Sequence, residues 1–226
     1  VGVPGRSLCG GGMMIKAAIF DMDGLLMDSE NLGLTAIHDC ALRQRVDVPV
    51  EISKQCIGIT NAASSALLNS HFPALDTARL FRDFAVYMHE KALAGQVPLK
   101  KGAVMLLEYL QKKGIPAAVA SSSGMQTIQL YLEKAGIVQY FQLLLSANGM
   151  PSKPAPDVFL KAAEQLGVAP ENCLVLEDSY NGVKAGRAAG MQVCMVPDVL
   201  PYVDTLAPFV DHVLPDLEKV MELMEA

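Results

Sequence analysis

The sequence predicts a doubly wound α/β fold, a parallel sheet with helices on both faces and a helical segment inserted after the first strand. Three observations carry this reading. Short apolar runs lacking polar alternation recur at 15–20, 115–120, 142–146, 173–177 and 192–196, the pattern of strands buried on both faces. Helical patterns separate most of them, each followed by a glycine suited to a left-handed C-terminal cap. Residues 30–95 hold helical patterns and no convincing strand.

In chain order, the first run, IKAAIF, ends at Phe20 and leads into DMDGLLMDSE. Helical stretches follow at 31–44, 62–69 and 78–94, and the main sheet resumes near Val97 and Pro98. A helix is expected at 103–113 before Gly114, then the run at 115–120 and a helix at 125–135 before Gly136. The run at 142–146 precedes a helix at 156–166 closed by Gly167. The run at 173–177 precedes a helix at 181–189 closed by Gly190, and 192–196 follows. Gly182, Gly186 and Gly190, spaced by four, are expected to let a helix lie close on the sheet. Strand–helix alternation of this kind implies right-handed crossovers. The expected organisation is a leader or expression remnant at 1–12, a core domain at 13–29 and 96–226, and a helical domain at 30–95. The linkers fall near 28–30 and 95–98.

Composition narrows the function. Hydrophobic content of 51% with 19% charged residues describes a well-buried globular protein. Eighteen basic against 24 acidic residues give a net charge of −6, which argues against a nucleic-acid partner. No apolar run approaches the roughly 20 residues of a membrane span. Cys9, Cys40, Cys56, Cys173 and Cys194 are odd in number and scattered, without a C-x-x-C pair. They are expected to be reduced thiols of a cytoplasmic protein, a monomer or weak homodimer. The twelve methionines read as core filler.

In an open parallel sheet, ligands bind at the carboxyl ends of the strands. Those ends carry Asp21 and Asp23, then Ser121, Ser122, Ser123 and Gly124, then Lys153 within SKPAPD, then Glu177 and Asp178. Alone, the D-x-D-G segment reads as an ordinary solvated turn. With two further carboxylates on the same edge, a hard divalent cation such as Mg²⁺ explains the cluster, because oxygen ligands suit it and it offsets their repulsion. Serine hydroxyls and N–H groups at a helix start are donors for a phosphate. A lysine adds positive charge. A calcium loop fails on spacing, and no phosphate-binding glycine loop, dinucleotide fingerprint, zinc helix or nucleophile elbow is present.

DMDGLLMDSE, ASSS, SKPAPDVF and LEDSYNGVKAGRAAGM, in that order, resemble the four successive signatures of the haloacid dehalogenase superfamily. The resemblance covers nearly the whole chain outside 30–95. Within the superfamily the chain is similar to the group holding β-phosphoglucomutases, pseudouridine-5′-phosphatases and other small-metabolite phosphatases, which carry a helical cap on a Rossmann-like core. The resemblance implies that Asp21 is the nucleophile, forming an aspartyl-phosphate, with its other oxygen on Mg²⁺. It implies that Asp23 is the general acid–base, its carbonyl also on the metal. Ser121 and the backbone at Ser122 would hold the phosphoryl group, and Lys153 would pair with Asp21 and the phosphate. Asp178 would bind the metal, and Glu177 would bind it directly or support it from behind.

Departures from the pattern of the group shape the expected activity. Asp23 stands where dehalogenases lack an acid, which disfavours halide displacement. The mutases of the group place a histidine where this chain has Gly33, and an arginine where Gly58-Ile59-Thr60 leads into Asn61. A phosphatase acting on a small phosphorylated metabolite is therefore expected, with a phosphosugar mutase as the alternative and a non-catalytic binding protein as a third reading. His38, His71, His89, Arg43, Arg45, Arg79, Arg82 and Lys91 read as solvated surface groups of the cap.

Overall fold

The computed structural model describes residues 15–57 and 59–225. The expected leader at 1–12, with Cys9, Met13, Met14 and Gly58, lies outside the described residues. Strand β1 (Ala17–Phe20) is followed by helices α1 (Ser29–Leu42), α2 (Val50–Ser53), α3 (Asn61–His71) and α4 (Thr77–Leu93). Then come α5 (Ala103–Lys113), β2 (Ala117–Ser121), α6 (Met125–Lys134), β3 (Leu143–Ser146) and α7 (Asp157–Leu166). The chain closes with β4 (Cys173–Glu177), α8 (Tyr180–Ala188), β5 (Gln192–Met195), β6 (His212–Val213) and α9 (Leu217–Glu225).

The six strands form one parallel sheet in the order β3-β2-β1-β4-β5-β6. The strand order reverses around β1, so the crevice at the carboxyl ends of β1 and β4 is the topological switch point where such folds bind ligands. Both faces are covered, as the unalternating apolar runs require. Ala18 and Phe20 of β1 pack with Leu106 and Leu110 of α5, Leu132 of α6 and Val220 of α9. Ala17 and Ile19 face the other way, with Val158 and Phe159 of α7 and Val183 of α8.

The four helix-ending glycines behave as expected: Gly114, Gly136, Gly167 and Gly190 have φ of 68, 69, 67 and 75°, a region that costs a side chain strain. Of the three glycines spaced by four, only Gly186 serves close packing. A Cβ there would sit 3.0 Å from Val193 and 3.1 Å from Val175. Gly190 meets nothing within 4 Å, and Gly182 faces the site described below. Strand β6, helix α9 and the single turn of α2 are not among the expected elements. The first is two residues long, too short for any periodicity, and α9 buries Leu217 and Val220 beside α5.

Helices α1 to α4 lie between β1 and α5 and gather around their own apolar cluster, including Ile37, Cys40, Leu68 and Leu80. The chain enters and leaves this segment through paired backbone. Met27 and Leu99 form an antiparallel bridge, Asp28 N–H donates to the Pro98 carbonyl (2.8 Å), and Lys100 N–H donates to Leu26 (2.9 Å). Among the described residues no helix is long and apolar enough to cross a membrane. Cys40, Cys56, Cys173 and Cys194 are free thiols.

Candidate active site

Asp21 follows β1 directly, and its N–H donates to the Leu176 carbonyl of β4 (3.0 Å), fixing it between the two central strands. Lys153, from the loop before α7, places its ammonium 2.5 Å from Asp21 Oδ1, 2.7 Å from Glu177 Oε1 and 3.2 Å from the Ala120 carbonyl. Its ammonium also lies 4.8 Å from the centre of the Phe159 ring. Four strand ends thus meet at one cation, since β1, β2 and β4 supply its acceptors and the β3–α7 loop supplies the lysine.

Glu177 is fully buried. Its second oxygen accepts from the N–H groups of Asp178 (3.0 Å) and Ser179 (2.9 Å) and from the Ser179 hydroxyl (2.9 Å). Gly182, one turn into α8, makes room for this carboxylate: a Cβ there would lie 1.8 Å from it. Asp178 is buried beside the turn after β1, where Gly24 has φ of 80° and a Cβ would come within 2.3 Å of Asp178 Oδ2. The glycine of D-x-D-G therefore serves two purposes, the left-handed turn and the close approach of Asp178.

Asp23 is held by hydroxyls from two directions. Ser29, the first residue of α1, donates to Oδ1 (2.7 Å), and Ser123 donates to Oδ2 (2.7 Å). Ser121 lies 3.5 Å from Oδ2, and its own Oγ accepts from the Ser123 N–H (3.0 Å). Ser122 is exposed on this loop. Ser123, which nothing in the sequence sets apart from its serine neighbours, makes the shorter bond to Asp23.

Burial raises the Asp21 pKa to about 7, with Glu177 and Asp23 adding to the rise against the opposing pull of Lys153. Burial, then Glu177 and Asp21, push Asp178 well above the ordinary carboxylate range. For Lys153, burial opposes the charge, but Asp21 and Glu177 outweigh it and hold the ammonium above the ordinary lysine value. One lysine therefore faces several buried carboxylates, and a hard cation would relieve the excess. Asp21 and Asp178 offer carboxylate oxygens, the donors that suit Mg²⁺. Among the described residues no group of three or more such side chains forms a metal cage by itself. A donor set of two carboxylates and a carbonyl is consistent with that.

Sequence reasoning missed Glu30. Its Oε2 is buried without a hydrogen-bond partner among the described residues, and a Cβ on Gly24 would lie 3.3 Å from its carboxyl carbon. Burial raises its pKa to about 8, with Asp198, Asp23 and Asp21 contributing. Glu30 lines a cavity of ≈ 570 Å³ that opens from Asp23 and Ser123 between α1, α3, α4 and α6. Gly33 and Asn61, the two positions noted for lacking mutase anchors, line it too. So does His89, read from sequence as a surface group. His38 instead bonds the Val48 carbonyl through Nδ1 (3.2 Å).

A fold with Asp21 and Asp178 at its switch point and Lys153 between its strand ends defines a class. The family model for haloacid dehalogenase-like hydrolases matches residues 18–196, and the chain belongs to that family. It is a phosphoric monoester hydrolase within it, and several curated relatives are named as phosphatases. A probable pseudouridine-5′-phosphatase of Drosophila melanogaster is 33% identical over 81% of this chain and 82% of its own length. Hexitol phosphatase A of Escherichia coli is 31% identical over 92% of this chain and 94% of its own. Among solved structures, a HAD family hydrolase from Deinococcus radiodurans R1 with bound phosphate and sodium superposes with a TM-score of 0.81. It is 24% identical, covering 94% of this chain and 98% of that one, a likeness that carries the fold.

Proposed function

We propose that the protein is a Mg²⁺-dependent phosphatase of a small phosphorylated metabolite, working through an aspartyl-phosphate on Asp21. The observation that supports it most is the Lys153 ammonium bridging Asp21 and Glu177 beside the buried Asp178. One oxygen of Asp21 attacks phosphorus and the other would bind the metal, while Lys153, through its bond to Oδ1, holds the carboxylate in place. As the phosphorus–oxygen bond to the alcohol breaks, Asp23 gives its proton to the leaving oxygen. It then takes a proton from the water that attacks the aspartyl-phosphate, releasing orthophosphate and restoring Asp21. Ser121 and the backbone at Ser122 hold the transferring group, and Lys153 balances its charge. Bound by Asp21, Asp178 and the Asp23 carbonyl, Mg²⁺ would supply charge stabilisation for the phosphoryl oxygens. Glu177 has its oxygens engaged by Lys153 and three other donors, which favours a role in positioning Lys153 over direct ligation. Residues 30–95 act as the cap, closing over the cavity during transfer and opening for water.

The test is orthophosphate release from a panel of phosphate monoesters. Asp21→Asn should lower turnover on the order of a thousandfold or more while the protein stays folded, because an amide cannot form the acyl-phosphate. Excess chelator should stop release and Mg²⁺ should restore it. Substantial activity in either case would end this reading. The mutase alternative predicts bisphosphate-dependent conversion of β-glucose 1-phosphate to glucose 6-phosphate. Gly33 and Asn61 offer no cation for a second phosphate, and no such conversion is expected.

A further inference from the structure

Helix α1 starts without the bond its N-cap residue could make. That residue is Asp28, a type whose carboxylate usually accepts from a backbone N–H of the first turn. Here no such bond forms, and the carboxylate is drawn sideways. Asn31 Nδ2 donates to Asp28 Oδ1 (2.7 Å), and the Lys100 ammonium stands 3.8 Å from the same oxygen. Both groups also reach Asp198, in the loop after β5. Lys100 donates to Asp198 Oδ1 (2.5 Å), and Asn31 donates to the same atom (3.3 Å). The Asp198 side chain is only 6% exposed, and its Oδ2 is buried with no hydrogen-bond partner among the described residues.

Stability alone does not account for this arrangement. A buried carboxylate with an idle oxygen is costly, and a buried ion pair seldom recovers its desolvation. What the pair provides is position. The Asp198 loop is fixed to the core, because Val196 N–H donates to the Glu177 carbonyl (2.8 Å). Lys100 is fixed to the chain that leads into α1, its N–H donating to the Leu26 carbonyl (2.9 Å). Held between them, Asp28 sets the first residue of α1, which is Ser29, and the Ser29 hydroxyl holds Asp23 Oδ1 (2.7 Å). We propose that Asp198 and Lys100 are positioning residues for catalysis, fixing the start of α1 so that Ser29 aims the Asp23 carboxyl at the leaving oxygen. The inference deepens the phosphatase reading and rests on it for the role of Asp23 as proton donor.

Steady-state kinetics across a leaving-group series tests it. In Asp198→Ala and in Lys100→Met, kcat should fall about tenfold for the fastest alkyl ester of the panel and at most about threefold for 4-nitrophenyl phosphate, with KM within about twofold. Lys100→Arg, which keeps the cation, should recover most of the loss. Asn31→Ala, at an exposed position, should show the same selective loss in smaller measure and decides the matter should the buried variants fail to fold. Lys101→Met is the control: its ammonium binds Asp216 (2.8 Å) and Glu218 (3.0 Å) instead, and its removal should leave the leaving-group dependence unchanged. In Asp23→Asn protein, Asp198→Ala should add no further selectivity, because the donor it aims is gone. Equal losses for alkyl and aryl esters, or full activity in both Asp198→Ala and Asn31→Ala, would overturn the inference and leave a structural staple. So would a selective loss that persists undiminished in Asp23→Asn protein. Equal losses across the series in Asp23→Asn itself would take the inference down together with the role of Asp23. Selectivity in Asp23→Asn without it in Asp198→Ala overturns the inference alone.

Discussion

Asp23 has two carboxylate oxygens and three serine hydroxyls around it, with Ser29 on one side and Ser121 and Ser123 on the other. Such a shell fixes direction while leaving the carboxyl able to exchange a proton. Asp23→Asn keeps an acceptor in place and removes the proton donor. Loss of turnover should therefore reach about 10²–10⁴-fold for alkyl esters with poor leaving groups and be smallest for an activated aryl phosphate. Equal losses across a leaving-group series would argue that Asp23 only positions. At this scale the sequence was informative where chemistry sits on strand ends. Asp21, Lys153, Glu177 and Asp178 each follow or end a recognisable apolar run or loop. Glu30 was invisible for a physical reason: its approach to the carboxylates depends on the turn at Gly24 and the start of α1 at Ser29, which no spacing rule encodes.

Among the elements, α8 shows how a packing motif and a site residue can share one spacing. Gly186 lets the helix approach β4 and β5, whereas Gly182 yields its volume to the Glu177 carboxylate. That carboxylate is pinned by four donors and cannot swing aside. Gly182→Ala should therefore cost about 1–3 kcal/mol in chemical denaturation, the range for overpacking a filled site. It should also depress phosphate release by displacing Lys153. Gly190→Ala, strained by its φ but meeting nothing, should lose stability and leave turnover unchanged. If Gly182→Ala behaves like Gly190→Ala, Glu177 does not position Lys153. The strands β1 to β5 and the helices α5 to α8 were legible because each is either a continuous apolar run or a periodic stretch with a glycine stop. Strand β6 was not, since its place is set by pairing with β5. Helix α9 carries apolar residues at 217, 220, 221 and 224, a helical spacing present in the sequence itself.

For the molecule as a whole, a concentration of buried negative charge should make folding depend on pH and metal together. Asp21 and Glu30 have folded-state pKa values raised to about 7 and about 8, and Asp178 is raised as well. A raised carboxyl binds its proton more tightly in the folded than in the unfolded chain. Its contribution is complete below the unfolded pKa near 4 and is lost as pH climbs through the folded value. In chelator, the melting temperature should fall by several degrees between about pH 5.5 and about pH 8.5. Added Mg²⁺ should restore more at the higher pH, where the carboxylates are free to bind it. A metal-free melting temperature that is flat or rising over this window would contradict the electrostatics of the site.

The paired backbone at 26–28 and 98–100 has a consequence for how the family can vary. A chain segment whose two ends are already hydrogen-bonded to each other closes a loop against the core, whatever lies within it. The entropy of closing such a loop grows only with the logarithm of its length, roughly 0.6 kcal/mol for each doubling. Helices α2 to α4 can thus lengthen, shorten or change sequence with little thermodynamic penalty passed to Asp21, Lys153 and Asp178, whereas Ser29 and Glu30 at the start of α1 reach the site carboxylates and are tied to them. Selection acting on the walls of the cavity is in this way uncoupled from selection acting on the phosphate chemistry beneath it.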